Sequence, residues 1–204
     1  MAGSASQPYL EGFLELAREV PSPKRGGERR DHLLFFAVLL DDHSRAATLA
    51  RYDWAKRIFR WRHTPRPPER FHVTLQVAFT SDEAIPERII EAAREAASLV
   101  RFDPFPLAFD RIEVFLPSKA LVLRGDGGHV ALTALNRRLG HALRLRGLSP
   151  HGVSGTPHIT LAYARPLTYP VEVQPMQMMV REFQLIDSLK GQGYTVLGRW
   201  KAQA

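Results

Sequence analysis

The 204-residue sequence contains no cysteine, which excludes a disulfide framework, a thiolate nucleophile and a Cys-ligated zinc site. Long apolar runs are missing too. The longest spans 33–40, far short of the roughly eighteen residues that a membrane-crossing helix needs, so no membrane partner is expected. The opening residues MAGSASQPYLEGF lack a charged stretch followed by an apolar one, so no secretion signal is expected and a cytoplasmic address fits. Lysine is scarce: 23 Arg and 5 Lys stand against 21 acidic residues, for a net charge of +7. Guanidinium forks match phosphate oxygens two at a time, so an Arg-rich surface suits a nucleic acid or nucleotide. A genome that favours Arg codons accounts for the excess equally well. The length allows one large domain or two small lobes around a buried core.

Hydrophobic periodicity predicts the order of elements. Residues 8–20 read as a helix and the Pro/Gly-rich stretch after it as a linker, so 1–30 form an extension and 31–204 a two-lobed domain. A buried strand, HLLFFAVLL, comes next. A helix over 43–59 follows, with Ala46, Leu49, Ala50 and Ile58 among its apolar positions. The segment HTPRPPER leads into a strand at 71–79, and a further helix starts at Pro86. PFPLAFDRIEVF and KALVLRG read as two strands joined by a turn at 117–118. GDGG then opens a helix over 129–147 with Leu132, Leu135, Leu139 and Leu143 on one stripe. The loop GLSPHGVSGTP delivers another strand, and the tail ends in two strands, MQMMVREFQLIDS and GYTVLGRWKA.

Two of these strands say nearly the same thing: FHVTLQVAF and PHITLAYAR. Eight histidines and nine threonines lead by chance to about 0.35 of an H-x-T triplet, yet two occur, each followed by Leu. Period-2 geometry puts His72, Thr74, Gln76 and Ala78 on one face, with Phe71, Val73, Leu75, Val77 and Phe79 on the other. In the second copy His158, Thr160 and Ala162 share a face opposite Ile159, Leu161 and Tyr163. The spacing repeats as well, because strand–helix–strand precedes each motif, and Phe35 to His72 is as far as Leu121 to His158. Two related units would bring their polar strand faces together across a cleft.

A solvated strand face would explain either motif alone, but it explains the matched pair less well. Two imidazoles also suit zinc, but a third ligand is wanted and no H-E-x-x-H spacing occurs; His63 and His151 lie in loops. No G-x-S-x-G points to a serine hydrolase. In-line displacement at a phosphodiester uses two histidines without a metal: one neutral imidazole takes a proton from water while an imidazolium gives one to the leaving oxygen. A threonine hydroxyl two residues along each strand could bind the non-bridging oxygens.

The paired H-x-T-L strands after LLFFAVLL, with the tail FQLIDSLKGQGYTVLGRW, resemble the two-histidine phosphoesterase superfamily. The branch is the LigT-like one of 2'-5' RNA ligases and RNA 2',3'-cyclic phosphodiesterases, and the likeness covers roughly 31–200. The resemblance implies an α+β, bilobal fold, with two antiparallel sheets facing across a cleft and helices packed outside. It implies His72 as proton donor, His158 as proton acceptor, and Thr74 and Thr160 on the phosphate. It further implies a monomer without metal or cofactor, acting on RNA or a nucleotide that bears a 2',3'-cyclic phosphate, with 2'-5' ligation as a variant on the same residues. The extension at 1–30 departs from the family, whose members commonly begin close to the first strand. A nucleotide- or RNA-binding module of the same fold is the alternative, although a binder needs no proton donor. Arg62, Arg66 and Arg70 flank the first motif and could track an RNA backbone, while Tyr194 sits where the family's tail carries a tyrosine and could reach the cleft. Phe71 reads as core rather than as a base-stacking platform, and GDGGH as a turn and helix start rather than an anion cradle.

Overall fold

Nine strands and three α-helices are formed by the residues that the computed structural model describes, 32–116, 118–127, 129–152, 156–163 and 170–203. The expected helix at 8–20 and its linker lie outside the described residues. In chain order the elements are β1 (His32–Leu39), α1 (Asp42–Ile58), β2 (His72–Ser81), α2 (Glu87–Ser98), β3 (Phe105–Phe115), β4 (Ala120–Arg124), α3 (His129–Leu145), β5 (His151–Gly152), β6 (His158–Tyr163), β7 (Val171–Val180), β8 (Glu182–Leu189) and β9 (Gly193–Lys201). One sheet has the order β5-β2-β1-β8-β9 and the other β6-β4-β3-β7. Their ladders are antiparallel throughout, the α+β architecture that the resemblance implied.

The repeated spacing corresponds to a unit built twice. In β1–α1–β2 and in β4–α3–β6 the chain leaves along one strand and returns antiparallel beside it. The histidine therefore heads the return strand, across from the end of the outgoing one: Leu39 pairs with His72 and Arg124 with His158. Each unit's helix lies on the other unit's sheet. Thr48 of α1 donates its hydroxyl to Met176 Sδ on β7, and Arg51 donates to the Gln174 and Pro175 carbonyls. In the reverse direction, Gln76 Nε2 of β2 donates to the Asn136 carbonyl of α3 at 3.0 Å. Because the helices are exchanged, both sheets share one apolar core, to which Leu34, Phe36 and Leu75 contribute from the first and Leu107, Phe109 and Leu123 from the second. Burial of each such side chain stabilises by about 1.5–3 kcal/mol.

Strict alternation fails in both motif strands, and at the same residue of the motif. The β1–β2 register passes from Ala37↔Thr74 to Phe36↔Gln76, skipping Leu75, and it skips Ala78 further on. In the β4–β6 ladder it passes from Val122↔Thr160 to Leu121↔Ala162, skipping Leu161. An extra residue in one strand turns every later side chain to the opposite face. Gln76 therefore lies with Phe36 on the core side and not beside Thr74, while Val77 joins Phe35 on the other face. Likewise Ala162 is core and Tyr163 is on the face of Thr160, the reverse of the expected arrangement. The histidine and threonine precede the bulge in each strand, so their expected pairing holds.

Three further expectations are corrected. Helix α1 buries Ser44, Thr48, Tyr52 and Ala55, whereas Ala46 and Ala50 are exposed and Ile58 is 59% exposed. Hydroxyls can line this helix–sheet contact because Thr48 reaches Met176 and Tyr52 donates to the His63 carbonyl. The helix starts at Asp41, whose carboxylate accepts from the Ser44 amide at 2.7 Å. The segment read as one strand, MQMMVREFQLIDS, is two: it breaks at Arg181, so that β7 completes one sheet and β8 enters the other beside β1. Within the expected loop before the second motif, His151 and Gly152 pair with Val77 and Gln76 as the short edge strand β5. In GDGG, a Cβ at Gly125 would stand 2.2 Å from the Ala108 carbonyl oxygen, so close approach to β3 requires glycine there.

Candidate functional site

His72 and His158 are held in the same way. His72 Nδ1 lies 2.8 Å from the Arg70 carbonyl, and His158 Nδ1 lies 3.0 Å from the Thr156 carbonyl, in each case two residues earlier. A carbonyl oxygen only accepts, so Nδ1 carries the proton and Nε2 is the nitrogen with a free lone pair. Each imidazole is half-buried at the head of its strand, with Thr74 or Thr160 two residues along on the same face. Among the described residues neither threonine side chain has a protein hydrogen-bond partner.

Burial lowers the pKa of His72 to about 4, assisted by the charges of Arg66 and His158 and opposed by the Arg70 carbonyl. Burial also lowers His158, with Arg124 acting in the same direction and the Thr156 carbonyl against it. The strands that carry the two imidazoles, β2 and β6, are in contact, and the charge of His158 acts on His72. Burial thus favours the neutral form of both imidazoles.

Aromatic rings set the walls. Phe35, 2% exposed, puts its ring 5.2 Å from that of His72 and 5.6 Å from that of Tyr194, and the His72 and Tyr194 rings are 5.7 Å apart. On the second sheet the Phe115 ring meets His158 edge-on at 4.9 Å. Below the first motif, Phe35, Ala37 and Ile186 form a small apolar cluster with Leu39, Val77 and Tyr194 packed on it. Phe71 is core, as expected.

Of the flanking arginines, Arg66 reaches between β9 and the second motif strand, β6, with Nη2 3.0 Å from the Tyr194 hydroxyl and Nη1 3.4 Å from that of Tyr163. Arg70 stands over the Tyr194 ring at 5.8 Å. Tyr194 thus faces the cleft, its hydroxyl 3.4 Å from His72 Nδ1, and burial raises its pKa while Arg66 pulls it down. Arg62 is exposed on the segment leading in, and nothing among the described residues ties it to either histidine. No group of three His, Cys, Asp or Glu among the described residues is arranged to hold a metal, and no helix among them is long and apolar enough to cross a membrane.

Sequence reasoning missed Phe35, Phe115, Tyr163, Arg124 and Glu113. Arg124 lies beside His158 and pairs with Glu113 at 3.3 Å. The two phenylalanines looked like core because they fall in apolar strands. The bulge at Leu161 turns Tyr163 to the face of Thr160, which alternation along H-x-T-L alone does not show.

A profile of the 2'-5' RNA ligase superfamily matches residues 45–192. A comparison with curated proteins returns no match. Among solved structures, the chain is similar to E. coli LigT complexed with 3'-AMP, at 25% identity over 85% of this chain and 99% of that one, with a TM-score of 0.69. It also resembles TT0787 of Thermus thermophilus, at 24% identity over 83% and 97% of the two chains, with a TM-score of 0.62. The MHV ns2 PDE domain shares the fold at 14% identity and a TM-score of 0.53, over 78% of this chain and 98% of that one.

Proposed function

The chain belongs to the 2'-5' RNA ligase superfamily, and from that premise we propose that it is a two-histidine phosphoesterase that opens a 2',3'-cyclic phosphate on an RNA end or nucleotide, leaving a 2'-phosphate. The observation that carries the reading is the matched orientation of the two imidazoles. Each donates Nδ1–H to a carbonyl, so each offers Nε2 to the reaction.

In the proposed reaction His158 Nε2 takes a proton from water as the water oxygen bonds to phosphorus. The bond from phosphorus to O3' breaks, and His72, protonated on Nε2, supplies the proton that makes the 3'-hydroxyl. Thr74 and Thr160 donate to the non-bridging oxygens, on which charge builds in the transition state. A 5'-hydroxyl in place of water would give a 2'-5' linkage with the same residues. A nucleotide partner fits the complex of E. coli LigT with 3'-AMP, and the excess of arginine fits an anionic one.

His72 must be protonated to serve as the acid, yet burial favours its neutral form. An anionic phosphate between the imidazoles raises the proton affinity of both, so the substrate itself charges the acid. Phosphorus NMR of the product from an oligonucleotide ending in a 2',3'-cyclic phosphate tests the reading. A 2'-phosphate is expected; a 3'-phosphate, or no turnover, would overturn it.

A further inference from the structure

Among the described residues Arg66 is a cation without an anion. Its Nη2 and Nη1 meet, among these residues, only the hydroxyls of Tyr194 and Tyr163, and its Nε is buried with no partner. Among the described residues no carboxylate lies within ion-pairing distance of it. Two arginines of the second sheet do have counter-ions, Arg124 in Glu113 and Arg111 in Asp110 and Asp126, although Arg124 Nε is likewise buried without a partner among the described residues. The Arg66 backbone is anchored where the two motifs meet, its amide donating to the carbonyl of Leu161, the bulged residue next to Thr160. On its other side Tyr194 stands against His72. One guanidinium is therefore held by two phenols, Tyr163 on the second histidine strand and Tyr194, which stands against His72. A phenol is a weak acceptor for such a group, and a desolvated N–H without a partner is a standing cost that an anion would remove.

We propose that Arg66 is the cation that receives the phosphate. When a phosphoester enters, the guanidinium gives up the Tyr163 and Tyr194 hydroxyls and takes two phosphate oxygens, with Nε as one of the donors. This rests on the phosphoester reading of the cleft and adds the positive charge that two threonine hydroxyls lack. The planar fork suits the two oxygens in a way that a lysine would not.

Calorimetric binding of inorganic phosphate and of a nucleoside 2'-phosphate, to the wild type and to Arg66→Gln, Arg66→Lys and Tyr163→Phe, tests the assignment. Arg66→Gln should weaken both ligands by about tenfold or more. Arg66→Lys, which keeps the charge but loses the fork, should recover part of that, and it settles the matter if the glutamine variant fails to fold. Tyr163→Phe removes only a resting partner and should not weaken binding. Equal affinity in wild type and the Arg66 variants would overturn the proposal. So would a loss in Tyr163→Phe as large as that in Arg66→Gln, since the hydroxyls would then carry recognition. Phosphate binding that depends on Arg66 in a protein that leaves the cyclic ester intact would keep this assignment and defeat the phosphodiesterase reading, so the two failures are distinguishable.

Discussion

Arg124 stands across the β4–β6 ladder from His158, in the place that Leu39 takes beside His72. Two copies of one unit thus give their histidines different neighbours, a guanidinium in one case and an aliphatic side chain in the other. On the first sheet the positive charge arrives from a loop instead, as Arg66, and acts on His72 through space and past Tyr194. A cation beside an imidazole favours its neutral form.

Arg124→Met should therefore raise the pKa of His158, and the Glu113 carboxylate left behind pushes the same way. Arg124→Lys should keep the titration near that of the wild type. NMR titration of the imidazole reads both. No upward movement in the methionine variant would mean that burial alone sets the value.

His72→Ala and His158→Ala should each lower kcat by roughly 10²–10⁴-fold, the contribution of a positioned acid or base. The double variant should lose less than the product of the two, because both residues act in one transition state. Circular dichroism should report an unchanged fold, since each ring lies on the cleft side of its strand. Near wild-type turnover in either single variant would remove that residue from the mechanism. With His72 gone, a substrate with a better leaving group should regain part of the rate.

The pairs His72/Thr74 and His158/Thr160 were legible because they lie two residues apart within one strand, before any irregularity. Their repetition and equal spacing also disclosed the doubled unit. Gln76, Val77, Ala162 and Tyr163 were misplaced for one physical reason: a bulge is fixed by the partner strand, and nothing in H-x-T-L taken alone announces that Leu75 and Leu161 are skipped. The buried stripe of α1 was hidden because Ser44 and Thr48 are polar, and burial of a hydroxyl depends on finding an acceptor elsewhere in the fold. The break at Arg181 was invisible for a similar reason, since the residues on both sides suit a strand and only the sheet they join differs. The place of Arg66 between two tyrosines 97 and 128 positions away is tertiary information.

Phe35 links packing to chemistry, since its ring covers both His72 and Tyr194. Phe35→Ala should cost about 3–5 kcal/mol of stability, as for other buried phenylalanines. Water admitted beside His72 should also bring its pKa up toward the ordinary histidine value. Chemical denaturation and NMR titration test the two effects separately. A destabilised variant with an unmoved His72 would mean that the ring packs without desolvating the imidazole.

Stability should depend on pH through the same residue. His72 has its pKa lowered to about 4 in the folded protein, against about 6.5 in an unfolded chain. The unfolded state therefore binds more protons between these values. The stabilisation is complete above about pH 6.5 and drains away as the pH falls toward 4, by on the order of 3 kcal/mol for this group. Denaturant midpoints measured across that range should fall with pH, and His72→Gln should flatten the slope. A slope that the variant leaves unchanged would assign the effect to other groups.

The depressed values also separate two pH optima that unperturbed histidines would merge near pH 6–7. The profile of kcat/KM reports the free enzyme, where burial lowers both imidazoles, so its optimum should lie on the acid side of that range. The profile of kcat reports the complex, where the bound phosphate raises both, so its optimum should lie at higher pH. Each bell belongs to the coupled pair, and its limbs do not by themselves name the acid. Arg66→Gln supplies the assignment: it removes a charge that lowers His72 in the free protein, so the limb that moves upward in kcat/KM is the one His72 dominates. Coincident optima, measured with a substrate for which chemistry limits the rate, would mean that the phosphate does not charge the acid. His72 would then have to act from the small fraction already protonated in the free enzyme.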